Sequence, residues 1–373
     1  MSIVPRPTVR PRSSAVPAPS LLGPHHLVHR PDTPEGFLLQ STPPVRQQFA
    51  FSAELPQDHP LFCDGTAAFH DLLFPLESLR QTAVFAARRC FRIPGNRHMV
   101  LTSGTTDVTD TEPWRRRSGS SQIALDLGIT PMDVVNGVPH SLSCRAAVSI
   151  DGQPCGTAEA RIAFPTPLVY RHHWNKGRME STTSLPGNDG GSSEARIVVE
   201  GRLPGQVPAQ RPALTAHRSP APERVGRRSA RNVLIGLPVQ APQEEGTRHE
   251  NETAAGLTFP VDLPTAGEVL PDATDAFTTA LLVEASRQSA LFAATELYGF
   301  APAHALLSHW QASFRGFAEK GLPLLCTVRT DVKDPAGDLP RDSSGRPYAT
   351  LMLSFTQGSR LVSEASVRVL QDC

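Results

Sequence analysis

The sequence predicts an α+β protein made of two like units, each an antiparallel sheet wrapped around one buried helix. Three observations carry this expectation. Two long stretches, LLFPLESLRQTAVFAARRCF from Leu72 and TTALLVEASRQSALFAATELYGF from Thr278, are apolar or small on almost every face, which marks a helix buried all round. Each is followed by β-rich runs separated by turn residues. The two helices also share a Glu-x-x-Arg-Gln pattern, Glu77, Arg80 and Gln81 against Glu284, Arg287 and Gln288, at an offset of 284 − 77 = 207. Glu159-Ala160 against Glu364-Ala365 gives 364 − 159 = 205, so the register persists and duplication explains it better than chance.

Composition sets the outer limits. A chain of 373 residues has room for two domains, and 39% hydrophobic with 19% charged residues at zero formal net charge describes a globular protein with no polyelectrolyte bias. Nothing in it calls for nucleic acid. No run reaches the roughly 18 to 20 apolar residues needed to cross a bilayer, and MSIVPRPTVRPRSSAVPAPS lacks a secretory apolar core. A cytoplasmic protein without membrane contact is therefore expected. The six cysteines form no C-x-x-C pair, so neither a metal site nor a disulfide framework is expected. Only Lys176, Lys320 and Lys333 are lysines among 36 basic residues, a bias that constrains ancestry more than function.

In chain order, residues 1–24 carry six prolines and no apolar period, which predicts a disordered tail. The first unit is assigned to 25–170. Its helix is followed by HMVLTSGTTDV, SLSCRAAVSI, a turn DGQPCG and TAEARIAF. Residues 171–226 are dominated by Gly, Ser, Pro and Arg and are assigned to a linker. The second unit is assigned to 227–373, with QEEGTRHENETAAG as a surface insertion before its helix. After that helix come PLLCTVRTDV, YATLMLSF, a turn TQGS and RLVSEASVRVL.

Glutamate and arginine at i and i+3 project from one helix face. On an exposed helix such a pair is an ordinary surface ion pair. Inside an apolar helix, charge is retained only if it is paired or functional, so packing and chemistry both stay open. No P-loop or dinucleotide-binding glycine pattern occurs, since GNDGG has no strand and helix around it.

At these residues the sequence resembles the A-factor biosynthesis (AfsA) family, whose members carry two hot-dog repeats with a Glu-x-x-Arg-Gln helix in each. LVHRPDTPEGFLLQ resembles the family's opening strand, and DHPLFCDG its element before the first helix. His70-Asp71 resembles the family's His-Asp pair, and VGRRSARNVLIG the start of the second repeat. The second repeat departs from the pattern: Asp275 is kept, but Ala276 stands where a histidine is usual and Thr278-Thr279 where Pro-Gly is usual.

The resemblance implies a tandem hot-dog fold. It also implies an acyltransferase that moves a β-ketoacyl group from an acyl carrier protein or coenzyme A thioester onto a hydroxyl of dihydroxyacetone phosphate, in the biosynthesis of γ-butyrolactone signals. No cofactor is implied. Such transfer needs a base, and a glutamate among apolar side chains has its pKa raised toward that role, so Glu77 or Glu284 is expected to serve. Arg80 and Arg287 then hold either the paired glutamate or the substrate phosphate. His59, His70, Gln81 and Gln288 are expected to contact substrate. The linker arginines either dock an acidic carrier or stay solvated. The alternatives are a hot-dog thioesterase or dehydratase, and a catalytically weak binding homologue, which Ala276 keeps in play.

Overall fold

A computed structural model describes residues 38–41, 48–55, 62–173, 175, 217–239, 256–261, 279–319, 322–330 and 338–372. The expected tail, most of the expected linker and insertion, and His59, Asp275 and Ala276 lie outside these residues.

The first unit contains β1 (Leu38–Ser41), β2 (Gln48–Glu54), α1 (Leu73–Arg89), β3 (Val100–Val108), β4 (Gln122–Val135), β5 (Val138–Ile150) and β6 (Gln153–Ala163). The second contains β7 (Gly256–Val261), α2 (Thr279–Tyr298), β8 (Ala305–Phe314), β9 (Leu324–Thr330), β10 (Tyr348–Gln357) and β11 (Arg360–Gln371). All eleven strands join one antiparallel sheet in the order β1-β2-β4-β5-β6-β3-β8-β11-β10-β9-β7.

That order displays the duplication directly. From either outer side inward, the units run β2-β4-β5-β6-β3 and β7-β9-β10-β11-β8. Corresponding strands occupy corresponding places. The two inner strands, β3 and β8, are equivalents that pair antiparallel, Ser103 opposite Ser313 through Asp107 opposite His309. A two-fold relation between repeats demands that arrangement.

Period-2 alternation builds the core face of each half. Ile123, Leu125, Leu127 and Ile129 of β4 point inward beside Leu142, Cys144, Ala146 and Val148 of β5. Leu351, Leu353 and Phe355 of β10 and Val367 and Val369 of β11 do the same in the second half. Against these faces lie the helices. Every residue from Leu281 to Ala294 is buried, and Leu79, Ala83 and Ala86 of α1 are fully enclosed. Gly299, at φ 70°, ends α2 in a left-handed turn whose N–H donates to the Thr295 carbonyl at 3.0 Å.

Four strands, β2, β4, β7 and β8, are not among the expected β-rich runs, and the first runs after the two helices are not equivalents: HMVLTSGTTDV forms β3, which corresponds to β8, and PLLCTVRTDV forms β9, which corresponds to β4. The run ALLSHWQASF of β8 follows a helix within a few residues and is too rich in helix formers to separate from it by pattern alone. The turn expected at DGQPCG is only Asp151-Gly152, with φ of 48° and 77°, and Gln153 already begins β6. Residues 217–226, read as the end of the linker, are ordered, with Val225 buried next to α2.

Candidate active site

Each Glu-x-x-Arg-Gln segment folds into the same local motif because i, i+3 and i+4 share a helix face. On α1, Arg80 donates from Nε and Nη2 to the Glu77 carboxylate at 2.7 and 2.5 Å, and Gln81 Nε2 donates to the same group at 3.0 Å. On α2, Arg287 donates to Glu284 at 2.8 and 2.7 Å, and Gln288 Nε2 at 2.5 Å. Both glutamates thus carry a forked arginine and an amide.

The surroundings then diverge. Glu284 receives a second fork from Arg227, at 2.9 and 2.7 Å, and Arg227 also pairs with Asp71 of the first repeat at 2.9 Å. Glu284 and Arg227 are both 0% exposed. Burial pushes the Glu284 carboxyl up, but the charges of Arg227 and Arg287 and their hydrogen bonds outweigh it and hold the group at about 2. The expectation that burial would raise this pKa toward a base's range is therefore corrected. Burial likewise opposes the charge of Arg227, and Glu284 and Asp71 overcome it, so its pKa rises.

Gln288 is equally committed. Its Nε2 donates to Asn232 O at 2.6 Å as well as to Glu284, and its Oε1 accepts from Leu234 N at 2.8 Å. With both amide hydrogens engaged, its expected contact with substrate gives way to a structural one, tying residues 232–234 to α2. Arg287 Nη2 also donates to the Val225 carbonyl at 3.1 Å.

Glu77 faces open space. A cavity of about 40 Å³ is lined by Phe62, Leu73, Leu76, Leu101, Ala160 and Val283, with Glu77 and Arg80 as its charged members. Thr279 and Ala280 bring the start of α2 to the same wall, so the slot is shared by both repeats. The Arg80 side chain is 28% exposed, against 8% for Arg287. Gln81 Oε1 is buried without a hydrogen-bond partner among the described residues. A wider groove of about 650 Å³ shares Leu101 and Thr279 with the slot and continues past His140, Tyr170 and Arg315.

His70 does not join Glu77 in this slot; it lines a separate cavity with Asp71, Arg116 and Arg287. Burial, and then the Arg116 charge, lower its pKa to about 4. Sequence reasoning missed Arg227 and Arg116. The only trace of Arg227 was its place in VGRRSARNVLIG, and nothing local marked Arg116. Among the described residues no group of acidic, His and Cys side chains could hold a metal ion, and no helix is long and apolar enough to cross a membrane.

Two antiparallel sheets joined edge to edge, each curled around a helix with a paired glutamate, define a double hot-dog protein. The chain belongs to the A-factor biosynthesis hotdog domain (AfsA) family, which it matches over residues 16–166 and 209–371. It is 28% identical over 166 residues to a 2-oxo-3-(phosphooxy)propyl 3-oxoalkanoate synthase of Streptomyces coelicolor, covering 44% of this chain and 52% of the relative. To a Streptomyces griseus protein of the same name it is 27% identical over 178 residues, covering 46% and 59%. The matched part thus spans little more than half of either relative. Among solved structures it is similar to an acyl-ACP thioesterase from Bacteroides thetaiotaomicron, at TM-score 0.42 and 12% identity over 87% of this chain and 98% of that one. It is also similar to the dehydratase domain of the terminal module of the rifamycin polyketide synthase, at TM-score 0.43 and 12% identity over 94% and 97%.

Proposed function

We propose that the protein is an acyltransferase that passes a β-ketoacyl group from a carrier-protein or coenzyme A thioester to a hydroxyl of dihydroxyacetone phosphate, with Glu77 as the base. The observation that carries this reading is the contrast between the two glutamates. Glu284 is sealed between two guanidiniums, whereas Glu77 stands at the wall of a mostly apolar slot. The names of the curated relatives, which describe a phosphooxypropyl 3-oxoalkanoate, support the choice of donor and acceptor.

In this mechanism the acyl chain lies along Leu73, Leu76, Leu101 and Val283, and the thioester arm leaves through the groove past Tyr170. Glu77 takes the proton of the acceptor hydroxyl as its oxygen attacks the thioester carbon. The C–S bond then breaks, and the departing thiolate recovers the proton. Arg80 positions the carboxylate through its two-point contact. The ester product can close to a butenolide phosphate, the precursor class of γ-butyrolactone signals, when its active methylene adds to the ketone and water is lost. Mass spectrometry of protein mixed with a β-ketoacyl thioester, with and without dihydroxyacetone phosphate, tests the reading: a phosphorylated ester that forms only with the acceptor is expected, and free acid formed without it would overturn the proposal.

A further inference from the structure

The cavity around His70 has no part in the proposed acyl transfer, yet its lining is unusual. It offers about 40 Å³ between the loop before α1, the middle of α2 and the start of β8. Two guanidiniums reach it. Arg116 comes from the first repeat, donates to the carbonyls of Phe69, Gly65 and Phe62 at 2.8, 3.3 and 3.4 Å, and forms no ion pair among the described residues. Arg287 comes from the second repeat, and its Nη1 makes no hydrogen bond among the described residues.

Nε2 of His70, which lines the cavity, and Oγ1 of Thr66, in the loop beside it, are buried without hydrogen-bond partners among the described residues. Each is a group whose desolvation is uncompensated unless something else occupies the space. Glycines keep that space open. A Cβ on Gly226 would lie 3.2 Å from Arg287 Nη1 and 3.9 Å from Thr66 Oγ1, and one on Gly65 only 2.9 Å from Arg116 Nη2. Charge points the same way: among the described residues Asp71 is paired with Arg227, and Glu284 with Arg227 and Arg287, while Arg116 forms no ion pair and feels Asp71 at longer range.

We propose that this cavity is a binding site for a phosphate-type oxyanion, held by Arg116 and Arg287 from the two repeats and by donors from His70 and Thr66. Guanidinium groups suit a tetrahedral oxyanion because their donors are planar and forked. A neutral His70 offers an N–H to the anion, and Thr66 a hydroxyl. The site stands whether or not the acyl-transfer reading holds, because it is separate from the Glu77 slot. Leu73 lines the slot, while His70, Asp71 and Leu72 line this cavity.

The test is calorimetric titration of the full chain, near neutral pH and at fixed ionic strength, with inorganic phosphate and separately with dihydroxyacetone phosphate. Saturable binding is expected. His70→Phe, which removes the donor but keeps a ring and leaves the Arg116 contacts alone, should weaken it about tenfold or more. Arg116→Gln should abolish it, and if that variant does not fold, as judged by circular dichroism, His70→Phe decides alone. Equal affinity for the two ligands assigns the site to a free phosphate group, and tighter binding of dihydroxyacetone phosphate assigns it to a phosphate ester. Absence of saturation with both ligands, or unchanged affinity in His70→Phe, would overturn the proposal.

Discussion

Glu77 and Glu284 occupy the same turn of equivalent helices, yet the first carboxylate accepts one guanidinium and faces a cavity, while the second accepts two and is wholly enclosed. Duplication supplied two copies of one motif, and Arg227 made them different. The copy it clamps has become a fastening between repeats, because Arg227 also holds Asp71 from the first repeat.

That difference separates two variants in stability. Glu284→Gln leaves Arg227 and Arg287 buried without their shared counter-charge, and breaking such a pair costs roughly 3 to 5 kcal/mol. Glu77→Gln removes a partly solvated pair and should cost about 1 kcal/mol. Urea unfolding of the two variants checks the order: a lower midpoint is expected for Glu284→Gln, and equal midpoints would show that the second clamp is not structural.

Acid stability follows from the same carboxylate. The Glu284 pKa is lowered on folding from 4.5 to about 2, so its contribution is present above pH 4.5 and is lost as pH falls toward 2. A shift of that size corresponds to roughly 3 kcal/mol. Stability measured from pH 5 to pH 2 should fall steeply in the wild type and weakly in Glu284→Gln.

His70 opens an earlier window. Its folded pKa of about 4 lies below the ordinary 6.5, so the neutral ring favours folding above pH 6.5, and this is lost progressively as pH falls toward 4. In His70→Phe, stability should be flatter between pH 6.5 and 4. Thermal melts across that range check it, and an unchanged slope would contradict a buried neutral imidazole.

Close backbone approach fixes another position. A Cβ on Gly156 would lie 2.4 Å from the Asp107 carbonyl oxygen, where β6 meets β3 near the junction of the repeats. Because backbone must move to admit it, Gly156→Ala should destabilise by about 2 kcal/mol or more, read as a lowered denaturation midpoint.

The fold's outline was legible because its strongest signals are local. An apolar helix and the repeated Glu-x-x-Arg-Gln can be read within one window, and both helices lie where they were expected. β8 was hidden because Ala305-Leu306-Leu307 continues the vocabulary of the preceding helix, and its strand state is fixed by pairing with β3 and β11. The site was half legible for a related reason. Glu77 and Arg80 sit three residues apart, but Arg227 reaches Glu284 from 57 residues upstream, and that distant charge sets the sign of the pKa shift. A rule about burial alone gives the wrong direction there. His70 was visible as a residue of interest, but its company with Arg116 depends on the tertiary fold.

The most direct test of the account compares single-turnover acyl transfer in Glu77→Gln and Glu284→Gln, each confirmed folded, with a β-ketoacyl thioester and dihydroxyacetone phosphate followed by mass spectrometry. The account expects the phosphorylated ester to disappear, or to form at least about a hundredfold more slowly, in Glu77→Gln, as befits loss of a general base. Glu284→Gln should keep turning over at temperatures where it stays folded. Full activity in Glu77→Gln, with loss in a folded Glu284→Gln, would contradict the assignment and place the chemistry on the second helix.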